Sequence, residues 1–280
     1  MKVILYLTLL GVSLTMSVPE AYTQENAANH LKYNSIKEVP GTVWEQLGKK
    51  KIFFGHQSVG KNIMEGMKDL LAENPEIVIR ISLTSEYHTG QKGMFGHDHI
   101  GKNENPESKI SAFQSVVKKN EKVLVDMAFF KLCFVDITRK TDISQLFDTY
   151  KTTMSQLRRQ HPDTAFVHFT VPLLKKSTPS LKARVKAFFG MDTGFFDKRH
   201  NVRRNEFNQM LLAEYSGKEP VFDLAGIESL TPEGNRESFT SGGQTYYSLF
   251  PGYTDDGGHL NKTGRRYVAE QFLLFLAAMI

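Results

Sequence analysis

The sequence contains a single cysteine, Cys133, among its 280 residues. One cysteine excludes an intrachain disulfide in any compartment. Because Cys133 lies in the apolar stretch 129–135, we interpret it as a buried structural thiol and not as a nucleophile. The chain is 40% hydrophobic and 23% charged, which is typical of one globular domain with a substantial core.

Signatures of nucleic-acid binding are also lacking. There is no zinc-finger spacing, no RNA-binding motif and no long basic helix. The net charge is +5, but the basic residues are scattered, with small clusters at 49–51, 175–176 and 203–204. We interpret them as a solvated surface, with attraction to an anionic polysaccharide or envelope as the alternative. The sequence predicts no nucleic-acid partner and no cofactor, and it leaves the oligomeric state open.

No apolar run reaches the ~20 residues that a membrane span needs. The start of the chain, Lys2 followed by the apolar run 3–16, instead predicts a signal peptide over residues 1–21. No cysteine follows this run, so a lipoprotein is not indicated. The predicted location is secreted or periplasmic, with no stable membrane span in the mature chain; an uncleaved N-terminal anchor is the alternative.

After a polar lead over residues 22–44, the chain alternates short apolar strands with amphipathic helices and shows no internal repeat. This order predicts one α/β domain over residues 45–280, a three-layer α/β/α sandwich with a mainly parallel, five-stranded, flavodoxin-like sheet. Helical patterns cover the region from residue 63 to 71 and the segments 143–160, 203–215 and 263–279. The expected strands are Lys51–Phe54, Ile77–Ser82, Val123–Ala128, Thr164–Thr170 and Val221–Leu224.

Two distant segments carry the residues of a serine hydrolase. Ser58 stands where the first apolar strand turns into a helix, and Asp256-Gly257-Gly258-His259 precedes the last helix. A serine hydroxyl needs a base, and that base needs a carboxylate to orient it. We therefore predict Ser58 as nucleophile, His259 as base and Asp256 as its partner, with Asp255 in reserve. The alternatives are a helix N-cap role for Ser58 and local hydrogen bonding for His259.

On these residues the chain resembles the SGNH, or GDSL-like, hydrolase family of esterases and lipases. In that family the nucleophilic serine follows the first strand and an Asp-x-x-His motif precedes the last helix. The resemblance covers roughly residues 50–280 in element order. It is looser at the serine, where Gly55-His56-Gln57-Ser58 replaces Gly-Asp-Ser.

The resemblance implies an oxyanion hole made by the serine N–H, a glycine N–H after the second strand and an asparagine after the third. Ser58 and Gly101 fit the first two positions. The third-strand segment 126–131 lacks a Gly-x-Asn, and we predict that Asn103 or Lys131 supplies the missing donor.

Three histidines, His56, His97 and His99, are expected to contact substrate. For His56, two residues before Ser58, packing against the turn is the alternative. The His97-x-His99 spacing is also found in metal sites, but in a Gly-rich segment it is weak evidence, so no metal ligand is predicted.

We expect a secreted esterase that removes a small acyl group, such as acetyl, from a carbohydrate through an acyl-Ser58 intermediate. The substrate would be a small-molecule or polysaccharide ester, with a lipid or small aryl ester as the alternative. Three alternatives remain. An O-acyltransferase would use the same residues, a carbohydrate- or envelope-binding protein would retain only the fold, and a metal-dependent hydrolase would use His97 and His99.

Overall fold

The computed structural model describes residues 32–86, 93–119, 125–176, 186, 194 and 197–280. The signal peptide predicted over 1–21 lies outside these residues and stays a prediction. Among the helices of the described residues, none combines the length and the apolar character needed to cross a bilayer.

The central sheet has six strands, and every neighbouring pair in it is parallel. The spatial order is β2-β3-β1-β4-β5-β6, and a separate antiparallel hairpin is formed by β7 and β8. Without β2, the order is the 2-1-3-4-5 arrangement of flavodoxin-like folds. The strands are β1 Lys51–His56, β2 Ile81–Leu83, β3 Met94–His99, β4 Met127–Phe130, β5 Ala165–Phe169, β6 Val221–Phe222, β7 Ser238–Ser241 and β8 Gln244–Tyr247.

Helices cover both faces of the sheet. They are α1 Gly41–Gly48, α2 Val59–Glu73, α3 Pro106–Lys119, α4 Ile143–Gln160, α5 Lys198–Tyr215, α6 Leu224–Ser229 and α7 Lys262–Ala278. Side chains of β1 alternate between two hydrophobic clusters. Phe54 packs with Phe272 of α7 in one, and Phe53 packs with Phe113 of α3 in the other. This period-2 burial on two sides confirms the predicted three-layer α/β/α sandwich.

The predicted strand count of five was one too low, because β3 was missed. Its sequence, Met94-Phe95-Gly96-His97-Asp98-His99, has no β-branched residue and reads as a loop. Its strand conformation comes from pairing on both sides, with β1 and with β2. The second predicted strand, Ile77–Ser82, is strand only from Ile81, and the N–H of Ile77 bonds the carbonyl of Asn74 instead.

The expected polar lead over 22–44 is packed where it is described. Ile36, Val39 and Trp44 are buried in the same cluster as α7. The predicted domain start at residue 45 therefore falls inside α1, whose Trp44 side chain is fully buried. The burial of these apolar residues moves the start of the folded domain to before α1.

Candidate active site

Ser58 occupies the sharp turn between β1 and α2. Its backbone has φ 55° and ψ −116°, a conformation that non-glycine residues rarely adopt. Such strain persists where the surroundings enforce it, and it is characteristic of nucleophiles placed between a strand and a helix. Ser58 directly precedes α2, but its side chain makes no capping hydrogen bond to that helix. The alternative role as a helix N-cap is therefore wrong.

The turn lies where the strand order of the sheet reverses, since β1 is flanked by β3 and β4. Ligand sites of open parallel sheets form at such points, beyond the carboxyl ends of the strands. Gln57 fastens the turn to the next loop, because its Nε2 donates to the carbonyls of Ile100 and Gly101 at 2.8 Å each. The serine is thus held at the expected edge of the sheet.

The second part of the site is the loop that leads into α7. Asn261 caps this helix by accepting from the N–H of Gly264. Asp256 Oδ1 accepts from the N–H groups of Gly258 and His259, both at 2.8 Å. These bonds fix the carboxylate next to the imidazole that follows it by three residues.

The structure brings the three predicted residues together. Ser58 Oγ lies 2.6 Å from Nε2 of His259, and Nδ1 of the same ring lies 2.6 Å from Oδ2 of Asp256. The reserve candidate, Asp255, faces elsewhere, since its Oδ1 accepts from Nδ2 of Asn261. A serine, an imidazole and a carboxylate in this order can transfer a proton from the hydroxyl to the ring.

Asp256 is held as a carboxylate. Partial burial acts to raise its pKa, but the N–H of Gly258, the ring of His259 and the N–H of His259 together outweigh it and lower the pKa to about 2. Asp256 is therefore ionised at neutral pH and can stabilise a protonated His259.

Two packed helices set the distance between Ser58 and His259. α2 begins directly after the serine and α7 begins three residues after the histidine, and the two helices lie side by side. Arg265 of α7 bonds Glu65 and Asp69 of α2 at 3.0 and 2.8 Å. Asn62 joins the loops, because its Oδ1 accepts from the N–H of Leu260.

Gly66 allows these helices to approach closely. A Cβ placed there would lie 2.3 Å from the carbonyl oxygen of Arg265 and 2.9 Å from Cβ of Ala269. We predict that Gly66→Ala forces the helices apart, lowers the free energy of unfolding by ~1–3 kcal/mol and slows reaction of Ser58 with a fluorophosphonate probe. Chemical denaturation and mass spectrometry measure the two effects.

The matched control is Gly41→Ala, since a Cβ at Gly41 meets no atom within 4 Å. This control should leave the labelling rate unchanged. Equal behaviour of the two variants would contradict the assignment of Gly66 as the contact that sets the helix separation.

Two backbone groups are available to bind an oxyanion. The N–H groups of Ser58 and Gly101 make no hydrogen bond to any described residue. Asn103, in the same loop as Gly101, accepts from Nζ of Lys109 with its Oδ1 at 2.9 Å. This bond orients the amide and leaves its N–H₂ group as a donor.

Lys131, the other candidate donor, is fully buried below this edge. Its Nζ donates to the carbonyl of Leu132 and to Sγ of Cys133, at 3.3 and 3.4 Å. Nearby Glu228 is also fully buried, and burial raises its pKa to about 8, although Lys131 opposes the shift. Lys131 therefore belongs to an internal polar group, and the prediction that it stabilises the oxyanion is not supported by its position.

The three histidines predicted to contact substrate differ in their exposure to solvent. His56 is 1% exposed, and its Nε2 lies 3.1 Å from Nδ1 of His97. Burial, and then the neighbouring His97, Lys131 and His99, lower the pKa of His56 to about 2, so it stays neutral. His56 is thus a packing residue and not a substrate contact. His97 is half-buried and His99 is exposed at the end of β3, where contact with a substrate stays a prediction.

Among the described residues, no group of three or more histidine, cysteine, aspartate or glutamate side chains is arranged to hold a metal ion.

Three residues of the site were not predicted. Gln57 fastens the nucleophile turn, Asn62 ties the two loops, and Phe134 places its ring 5.4 Å from that of His259. For Gln57, its position beside Ser58 was a signal in the sequence that it belongs to the site. Asn62 and Phe134 had no such signal, because they act through contacts between segments that are distant in sequence.

The chain is similar to several solved structures, all at low sequence identity. No protein-family model matches the chain, and no curated protein matches it. The periplasmic domain of a lipopolysaccharide acetyltransferase from Salmonella ser. Paratyphi A aligns at 14% identity and TM-score 0.43, covering 79% of this chain and 81% of that one. A carbohydrate esterase family 3 structure from Talaromyces cellulolyticus aligns at 12% identity and TM-score 0.41, covering 82% and 98%. Likenesses this weak carry no functional argument, which rests instead on the geometry of Ser58, His259 and Asp256.

Proposed function

We propose that the chain is a serine esterase of SGNH type. The observation that carries this proposal is the continuous hydrogen-bonded series from Ser58 through His259 to Asp256, combined with the strained backbone of Ser58. A structural serine would need neither the strain nor the paired imidazole.

In the first half-reaction, Ser58 Oγ attacks the ester carbonyl carbon and its proton passes to Nε2 of His259. The oxyanion accepts hydrogen bonds from the N–H groups of Ser58 and Gly101 and from the amide of Asn103. The tetrahedral intermediate collapses to acyl-Ser58, and His259 protonates the departing alcohol. Water then attacks the acyl group with His259 as base, which releases the acid and restores the serine.

A carbohydrate ester is supported by the lining of a nearby cavity of about 710 Å³. Its wall includes Glu104, Thr138, Thr141, Asp142 and Gln145, which offer the carboxylate, hydroxyl and amide groups that bind sugar hydroxyls. The 3-10 turn from 134 to 136 connects it with the site, because Val135 lines the cavity next to the residue that packs on His259.

The test is acetate release from acetylated xylan and from p-nitrophenyl acetate, with intact-mass analysis after fluorophosphonate treatment. Single labelling together with acetate release would support the esterase. Transfer of acetyl to an added xylo-oligosaccharide in preference to water would favour the acyltransferase. A folded protein that neither labels nor hydrolyses either ester would overturn the proposal.

The role of Asn103 has its own test. Asn103→Asp keeps an oxygen for Lys109 but removes the N–H donor, and we expect kcat to fall by ~10²–10³-fold with little change in KM. Lys102→Ala, an exposed neighbour in the same loop, is the control and should retain full activity. Full activity of Asn103→Asp would rule out the amide as the third donor.

A further inference from the structure

A second cavity, of about 450 Å³, lies between the hairpin β7-β8 and the segment 174–176. Its lining includes Lys175, Lys176 and Lys198 together with Phe239 and Thr245. Three lysines therefore surround one partly open cavity together with residues of the hairpin.

The cavity is positively charged. Lys175, Lys176 and Lys198 form no ion pair with any residue in the described ranges. Asp197, the carboxylate among the described residues of the lining, is bound by the guanidinium of Arg199 at 2.5 Å. The three lysines are thus not paired with a carboxylate of the described residues, and the start of α5 adds a further partial positive charge.

The walls of the cavity are fixed by one helix. Asn201 of α5 accepts from the N–H of Leu174 at 3.0 Å and donates to its carbonyl at 2.6 Å. One turn on, Asn205 makes the same pair of bonds with the backbone of Tyr247, both at 3.0 Å. The two asparagines hold the lysine segment and the hairpin apart at a set distance, so the cavity is preformed.

The cavity also adjoins the proposed active site. The N–H of Lys175 donates to the carbonyl of Gly257, in the loop between Asp256 and His259. In the same loop, Gly258 has no room for a side chain, because a Cβ there would lie 2.7 Å from Cδ2 of Leu174. The backbone of Lys175 thus joins one wall of the cavity to the loop that carries Asp256 and His259.

We propose that this cavity is a subsite for an anionic sugar unit of the substrate, one that carries carboxylate or phosphate oxygens. The proposal rests on the esterase function and names its substrate class. Lysine ammonium groups bind the anion as point charges. Phe239, whose ring stacks on that of Tyr246, supplies an aromatic surface for the apolar face of the sugar.

The experiment measures binding in the full chain carrying Ser58→Ala, so that no probe is consumed. Isothermal titration uses tetragalacturonate, its fully methyl-esterified form, glucose 6-phosphate and glucose. The two pairs are tetragalacturonate with its methyl ester and glucose 6-phosphate with glucose. In at least one pair we expect the anionic probe to bind about tenfold more tightly than the neutral one, and its affinity should fall with added NaCl. Adding Lys176→Gln and Lys198→Gln should weaken that binding by roughly five- to tenfold.

The control is Lys37→Gln with Lys68→Gln, which removes the same charge from two exposed lysines elsewhere and should not alter the affinity. Preference for glucose 6-phosphate would identify the anion as phosphate, and preference for tetragalacturonate would identify it as carboxylate. Equal binding of charged and neutral probes, or equal losses in the two double variants, would overturn the subsite.

The two proposals fail separately. Acetate release by the wild type without binding of either anionic probe would remove the subsite and leave the esterase. Binding of an anionic probe that depends on Lys176 and Lys198, in a protein whose wild type hydrolyses no ester, would support the subsite and remove the esterase.

Discussion

Ser58→Ala should abolish ester hydrolysis, lowering kcat by ~10⁴–10⁶-fold, because the hydroxyl that bonds Nε2 of His259 is the proposed nucleophile. Fluorophosphonate labelling of the intact protein should disappear at the same time. In His259→Ala, labelling should fall sharply but the serine should remain present, since the base is lost and the nucleophile is kept.

The control for this prediction is Ser144→Ala, an exposed serine on α4. It should retain both labelling and turnover. Persistence of single labelling in Ser58→Ala would mean that another serine is the nucleophile and would remove the basis of the proposed mechanism.

Asp256→Ala should lower kcat by ~10²–10³-fold while the protein remains folded. The carboxylate orients the His259 ring through Nδ1 and stabilises its protonated form. Its side chain is 57% exposed, so water replaces part of the lost interaction, and we expect a smaller loss than for a buried carboxylate. Steady-state kinetics at several pH values measures the effect.

The pH series separates Asp256 from other groups. Its folded-state pKa of about 2 lies below its ordinary value, so its contribution is present at neutral pH and is lost only as the pH falls toward 2. The wild-type acid limb above pH 4 therefore does not report Asp256. Asp255→Ala, which removes only a bond to Asn261, is the matched control, and an equal loss in this variant would contradict the assignment.

The sequence was sufficient to predict the three central residues because each carries a local signal. Ser58 stands at a strand-to-helix junction, and Asp256 precedes His259 by three residues in a Gly-rich turn before a helix. The strands β1, β5 and β6 were also predicted, since each has an apolar run suited to a sheet buried on two faces. The strand predicted over Val123–Ala128 overlaps β4 only at Met127 and Ala128, because β4 continues to Phe130.

His56 was placed at the substrate because it stands two residues before Ser58. Its burial depends on two features that are distant from that signal. β3 brings His97 against it, and Gly60 leaves the space that its ring fills, since a Cβ there would lie 2.4 Å from Cβ of His56. Both are tertiary contacts, and β3 itself is a strand only through its pairing partners. Such packing has no signature in local composition.

The packing of α2 against α7 also makes the site depend on both ends of the folded domain. Ser58 leaves the ribosome with β1, whereas His259 follows only after all six strands of the sheet have been made. Phe272 of α7 packs in the cluster around Phe54, and the same helix begins three residues after His259. A nascent chain that still lacks the loop before α7 therefore carries a Ser58 hydroxyl without its base.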